Sequence, residues 1–154
     1  MPRMRRRDRE IESQEEILHV LDTCKVVHLA MYDEDGIYML PMNFGYTYED
    51  SQLVIYIHAA LEGKKLDLLR KNPNVGFELD CDHELIEGRV PCQYGYRYAS
   101  LVGKGVAEFV EAPQEKMEAL SILMKCQTGK DFEFTERLVT IVSVIKITAK
   151  ELTG

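Results

Sequence analysis

The sequence lacks the features of several large protein classes. None of its apolar runs approaches the roughly 20 residues that a transmembrane helix needs, so we expect no membrane span. Its 19 Lys and Arg residues are outnumbered by 26 Asp and Glu residues, and the net charge of -7 argues against nucleic acid or an anionic membrane as the main partner. Four scattered cysteines and the absence of an apolar signal segment predict free thiols and a cytoplasmic location.

Familiar catalytic and nucleotide-binding signatures are also missing. The sequence contains no GxGxxG or Walker pattern, so it carries neither of the common dinucleotide and NTP loops. No Ser-His-Asp order, nucleophile elbow or distinctive carboxylate pair is recognisable among the many acidic residues. If the protein is an enzyme, we therefore expect a bound cofactor to carry its reaction.

What the sequence does contain is the periodicity of a mainly β domain. Ser13 and Glu16 have the spacing of a capping box, which predicts a helix over residues 14–22. Gly63 and Pro113 begin two further predicted helices. Apolar residues bounded by turn signals predict six strands, over residues 25–32, 37–46, 53–58, 75–79, 94–111 and 138–147. Residues 80–91 are polar and are predicted to form turns.

Short turns between the first three strands indicate an antiparallel meander, because parallel strands need long crossovers. A bend is expected at Gly103 and Gly105 in the long fifth strand, where missing side chains permit a bulge. No repeat or linker interrupts the chain. Residues 1–154 are therefore predicted to form a single domain, a six-stranded antiparallel barrel that is closed or partly split, with flanking α-helices.

Two segments have the character of a binding site. Pro41 lies within a predicted strand and lacks an N–H for the ladder, so the strand is an edge or is interrupted where a ligand approaches. An ordinary edge strand is the simpler interpretation. In the second segment, a strand ends at His58 and a helix begins with Lys64 and Lys65, which suits a phosphate because helix starts offer unpaired N–H groups. Two solvated lysines are the alternative.

Three other groups are less specific. Cys81, His83 and Cys92 could hold a metal, but their spacing is unlike that of structural zinc sites, and buried thiols are favoured. Tyrosines alternate along the strand that contains Tyr98, where they could cover a barrel face or a dimer interface. A basic arm spans residues 1–12; we expect it to be solvated or to pack on a second subunit.

These segments together resemble the FMN-binding split-barrel proteins related to pyridoxamine-phosphate oxidase, and most of all the nitroimidazole-resistance (Nim-type) proteins. The resemblance spans nearly the whole chain. The run His-Ala-Ala at 58–60 followed by Gly-Lys-Lys at 63–65 is its most specific part. The other matching segments are residues 5–10, 41–46, 81–84 and 98–103.

The resemblance implies a homodimer with FMN at the interface, each site being built from both subunits. The residues that it assigns to the cofactor are Leu40, Pro41, Met42 and Asn43 beside the ring, His58, Ala59, Lys64 and Lys65 at the phosphate and ribityl chain, and Tyr98 and Ser100 from the long strand of the same or the partner subunit. No metal is implied.

The implied function is an FMN-dependent reductase acting on a small planar acceptor such as a nitroimidazole or another nitroaromatic compound. A nicotinamide could supply the electrons, and His58 or Tyr98 could supply a proton. The alternative is a non-catalytic flavin- or haem-binding protein that stores or senses its ligand. Members of the superfamily also bind haem or a deazaflavin, so the residues alone do not choose among these cofactors.

Overall fold

Seven antiparallel strands form one sheet in the computed structural model, which describes residues 4–154. Arg3 of the predicted basic arm lies outside the described residues. In chain order the elements are α1 (Gln14–Thr23), β1 (Val26–Asp33), β2 (Gly36–Asn43), β3 (Gly45–Glu49), β4 (Gln52–Ala59), α2 (Lys64–Lys71), β5 (Asn74–Ile86), β6 (Gly95–Phe109), α3 (Pro113–Thr128), α4 (Glu136–Val139) and β7 (Ser143–Thr153).

The sheet curves back on itself without closing. Its strand order is β2-β1-β5-β6-β7-β4-β3, so β2 and β3 are the two edges. These edges follow one another along the chain and are separated by Phe44 alone. Because a single residue joins the first and last strands of the sheet, the sheet must bend into a barrel that is split between β2 and β3.

The core fills the inside of this barrel. Strand β1 shows the required alternation, since Val27, Leu29 and Met31 are buried while the residues between them face outward. Helices α1 and α2 contribute Leu21 and Leu66 to the same core. Burying a side chain of this size stabilises the fold by about 1.5–3 kcal/mol. The Ser13 hydroxyl accepts a hydrogen bond from the Glu16 N–H (3.1 Å), so the predicted helix cap is confirmed.

The structure corrects the strand count from six to seven. The predicted strand 37–46 is two strands, because the chain leaves the β1 ladder at Asn43 and joins the β4 ladder at Gly45. Phe44 between them is 1% exposed and anchors the bend in the core. The sequence pattern of residues 37–46 does not predict this break, because the mostly apolar residues on both sides of it favour extended backbone.

Two further sequence predictions are wrong. The polar segment 80–91 is predicted to form turns, but β5 continues to Ile86 and pairs with β6 on both sides of a bulge between Cys81 and Glu84; only residues 87–91 lie outside the strand. The last strand was predicted over 138–147; instead Leu138 lies in α4 and the strand is Ser143–Thr153. At Gly103 and Gly105, where a bend is expected, β6 pairs with β5 without interruption; the β6–β7 register does shift beside Gly105, but the extra residue is Lys150 of β7. No helix among residues 4–154 is long and apolar enough to cross a membrane.

Candidate functional site

A gap opens where the split of the barrel meets the end of β4. The β3–β4 ladder stops at the pair Gly45 and Tyr56, so β4 runs past its partner from Ile57 to Ala59. On the other side of the split, β2 ends at Asn43. Two strand segments with unpaired edges therefore face the same opening, and backbone N–H and C=O groups along such edges are available to a ligand.

Lys65 joins the elements around this opening. Its Nζ lies 3.4 Å from the Sδ of Met42 on β2. Its charge also acts on His58 of β4: burial, and secondarily the Lys65 ammonium, lower the pKa of that imidazole. A thioether is a weak acceptor, and among residues 4–154 Lys65 forms no ion pair with a carboxylate. The half-buried ammonium is therefore free to take an anion.

Lys64 has a different environment from its neighbour. Its Nζ lies 2.9 Å from an Oδ of Asp33 and 4.6 Å from the centroid of the Tyr38 ring. The hydrogen bond from Lys64 lowers the pKa of the Asp33 carboxyl. The sequence assigned the same role to both lysines, whereas the structure pairs one of them with an acidic side chain at the β1–β2 turn.

The start of α2 lies open beside these lysines. Gly63 adopts φ +156° and ψ 166°, a backbone region that is essentially restricted to glycine. No side chain caps the helix, so its first N–H groups lack a side-chain partner. A Cβ built on Gly63 would meet no atom within 4 Å. The helix start can therefore be approached by a phosphate, as the sequence predicts.

The predicted ring-contacting residues lie on the edge strand β2. Leu40 and Met42 are half-buried against the core, while Pro41 and Asn43 are exposed. Pro41 is thus in an edge strand, as its missing N–H predicted. The neighbouring prediction, Ala59, is buried at the end of β4 and contributes backbone rather than side chain to the opening. Seven of the ten predicted cofactor residues border the split: residues 40–43, 58, 59 and 65.

Tyr98 and Ser100 are not brought to the split. They lie on β6, which is separated from β2 by β1 and β5 in the sheet. Both line a cleft of about 520 Å³ together with Arg6 and Arg9 of the N-terminal arm. Tyr98 is 59% exposed. Within a single chain this cleft and the split are separate, so whether the two contribute to one site depends on a second subunit.

The cysteine and histidine group from the sequence does not assemble. Cys81 is buried beside Cys24, and Cys92 is exposed. The expectation of buried thiols is therefore correct for Cys81 and wrong for Cys92. Burial, with a smaller contribution from Cys81, raises the pKa of Cys24 to about 12. His83 instead hydrogen-bonds to Asp80.

Sequence reasoning missed a polar cluster on the outer face of the sheet. His28 on β1 hydrogen-bonds to Glu78 on β5 (3.1 Å), and Glu78 in turn interacts with Asp80. Burial and the Asp80 carboxylate raise the pKa of Glu78. The spacing Glu-x-Asp in a strand places both carboxylates on one face, but the register that adds His28 cannot be read from the sequence.

Comparison with known proteins points to one family. Residues 13–154 match the sequence profile of the Pyridoxamine 5'-phosphate oxidase family. A candidate 5-nitroimidazole antibiotic resistance protein from Bacteroides thetaiotaomicron is 32% identical, with a TM-score of 0.79; the match covers 94% of this chain and 84% of that one. No match was found among curated proteins.

More distant structures share the fold. The FAD and haem binding protein from Mycobacterium smegmatis has a TM-score of 0.79 at 18% identity, covering 94% of this chain and 71% of that one. A candidate pyridoxamine 5'-phosphate oxidase from Listeria innocua has a TM-score of 0.59 at 23% identity, covering 92% and 96%. At these identities the likeness shows the split-barrel architecture alone.

Proposed function

Because the chain belongs to the pyridoxamine 5'-phosphate oxidase family, we propose that it is an FMN-dependent oxidoreductase that reduces a small planar acceptor such as a nitroimidazole. The observation that carries the proposal is the half-buried, carboxylate-free Lys65 beside His58 at the uncapped start of α2. The 32% identity to a candidate 5-nitroimidazole resistance protein supports the choice of acceptor.

The residues at the split fit FMN. Lys65, the imidazole of His58 and the first N–H groups of α2 would hold its phosphate, because each is a donor without a stronger acceptor. The free edge of β2 at residues 40–43 would orient the ring through backbone hydrogen bonds. The lowered pKa of His58 leaves the imidazole neutral at neutral pH, so it keeps both a donor and an acceptor nitrogen. When bound, FMN would supply the electron transfer.

We propose that the working form is a homodimer. The opening at the split faces solvent in one chain, whereas ligand sites usually bury most of their ligand. Tyr94, Tyr96 and Tyr98 are 49–59% exposed, and exposed aromatic surface of this kind is typical of interfaces. A two-fold axis that placed the Tyr98 cleft of one chain against the split of the other would complete two equal sites.

Sedimentation tests the dimer. The proposal expects twice the 17.7 kDa chain mass at micromolar concentration. An FMN-saturated monomer would contradict the shared site.

Two measurements test the activity. Absorbance of the purified protein identifies the cofactor, since flavin gives two visible bands and haem a Soret band. Anaerobic turnover with a nicotinamide donor and a nitroimidazole then distinguishes a reductase from a protein that only binds its ligand. A colourless protein that takes up no added FMN would refute the proposal. A yellow protein without turnover would instead support the storage or sensing alternative.

A further inference from the structure

Three metal-binding side chains meet on the outer face of the sheet, and a fourth lies beside one of them. Glu78 and Asp80 are two residues apart on β5 and therefore point to the same side. His28 on β1 is the direct cross-strand partner of Glu78. The donor atoms of these three side chains all lie within 4.8 Å of one another.

A bulge in β5 adds the fourth side chain. The β5–β6 register shifts between Cys81 and Glu84, and Asp82 within this segment has a left-handed φ of +59°. In a regular strand, residue 83 would face away from residue 80. The bulge turns the imidazole of His83 back, so that its Nε2 hydrogen-bonds to an Oδ of Asp80.

The two carboxylates have no permanent cation beside them. Among residues 4–154, neither Glu78 nor Asp80 lies within ion-pair distance of a lysine or arginine; their partners are the two imidazoles. The cross-strand neighbour of Glu78 on β6 is Val102, an exposed apolar residue. The two carboxyl groups therefore contact one another and the imidazoles of His28 and His83, and not a lysine or arginine.

We propose that His28, Glu78, Asp80 and His83 bind one first-row divalent transition metal ion, for which Zn²⁺ is the best match. Two imidazole nitrogens and two carboxylate oxygens supply the four ligands of a tetrahedral zinc site. Ca²⁺ and Mg²⁺ prefer all-oxygen sets, which the two histidines do not provide. His28, Glu78 and Asp80 already face their donor atoms toward one another, and His83 reaches the group through its hydrogen bond to Asp80. The metal would replace the protons shared in these contacts.

Calorimetric titration of the chelator-treated full chain with Zn²⁺ tests the site. We expect saturable binding of one ion per chain. His28→Gln and Asp80→Asn each remove a ligand and should lower the affinity at least tenfold, a loss that can follow even from changing a residue that only hydrogen-bonds to a metal ligand. Unfolding curves recorded in EDTA check that each variant is folded, which we expect because His28 and Asp80 lie on the outer face. Absence of saturable binding by the folded wild-type chain would overturn the proposal.

His19→Gln is the matched control. His19 lies 2.8 Å from Asp82 and, with that residue and Cys81, forms a neighbouring group of possible ligands. The proposal expects this variant to bind Zn²⁺ like the wild type. Loss of binding in His19→Gln but not in His28→Gln would place the metal in the neighbouring group and overturn the proposal.

Co²⁺ gives a readout that needs no variant. Bound by two imidazoles and two carboxylates, Co²⁺ should show visible d–d bands of a tetrahedral site without a sulfur-to-cobalt charge-transfer band. A thiolate band would show that Cys81 is a ligand and would contradict the proposed set.

Discussion

The different surroundings of Lys64 and Lys65 predict that the two residues contribute unequally to FMN affinity. Lys65 is half-buried, and within residues 4–154 the Met42 thioether is the one hydrogen-bond partner of its ammonium, so its charge is available to the phosphate. Lys64 is 57% exposed and already paired with Asp33. Replacing Lys65 with alanine should therefore weaken FMN binding far more than the same change at Lys64.

The magnitudes follow from the type of interaction. A charge-assisted hydrogen bond contributes about 1.5–3 kcal/mol, so Lys65→Ala should raise the Kd for FMN by about 10-fold to 150-fold. An exposed ammonium already paired with a carboxylate contributes little to binding a further anion, so Lys64→Ala should change the Kd by less than about fivefold. Riboflavin has no phosphate, and its affinity should be nearly unchanged in both variants.

Quenching of flavin fluorescence measures the affinities of both lysine variants for FMN and for riboflavin. The ratio of FMN to riboflavin affinity is the decisive quantity, because misfolding would weaken both ligands equally. Equal losses of FMN affinity in the two variants, or an equal loss of FMN and riboflavin affinity in Lys65→Ala, would refute the assignment of the phosphate to Lys65.

Three further predictions concern stability and reactivity. Burial lowers the pKa of His58, so as the pH falls through about 6.5 the imidazole is protonated in the unfolded chain before it is protonated in the folded chain. The free energy of unfolding therefore decreases as the pH falls. In His58→Gln, urea unfolding between about pH 7.5 and about pH 5 should show a smaller decrease. A Cβ on Gly45 would lie 2.4 Å from the Leu123 Cα, so Gly45→Ala should cost about 1–3 kcal/mol of unfolding free energy. Ellman's reagent should modify exposed Cys92 first and leave buried Cys24 unreacted until the chain unfolds.

Each of these has a matched control. Gly95→Ala places its Cβ 4.0 Å from the nearest atom, so its stability should stay within about 0.5 kcal/mol of the wild type. An equal loss in both glycine variants would show that the substitution lowers stability by some route other than the contact with α3. Cys92→Ser should abolish the fast phase of labelling by Ellman's reagent. If the unfolding free energy of His58→Gln decreases with falling pH as steeply as that of the wild type, other titrating groups govern the decrease.

Local patterns predicted much of the architecture. The capping box at Ser13 and the helix start after Gly63 depend on neighbouring residues, and both helices are present. The break at Phe44 could not be predicted in this way, because it is set by which strands pair across the barrel. The same limit explains the failure at residues 80–86, which belong to a paired strand although most of their side chains are polar and most are exposed.

The candidate site was likewise only partly predictable from the sequence. The sequence placed His58, Lys65 and residues 40–43 together, and the structure brings them to one opening. It could not separate Lys64 from Lys65, since the Asp33 partner of Lys64 comes from a distant turn. The cluster around Glu78 could not be predicted for a related reason. Strand register places His28 beside the carboxylates, and a bulge places His83 there.

The split leaves the sheet with two free edges, which an unliganded chain must keep from pairing with those of its neighbours in solution. Edge β3 is covered by α3, whose Gln127 side chain also donates a hydrogen bond to the Phe44 carbonyl (2.8 Å). In the described part of the chain no helix packs on edge β2 as α3 packs on β3, and β2 carries Pro41, where a missing N–H interrupts any incoming strand. The opening can therefore stay accessible to a small molecule while remaining a poor template for aggregation.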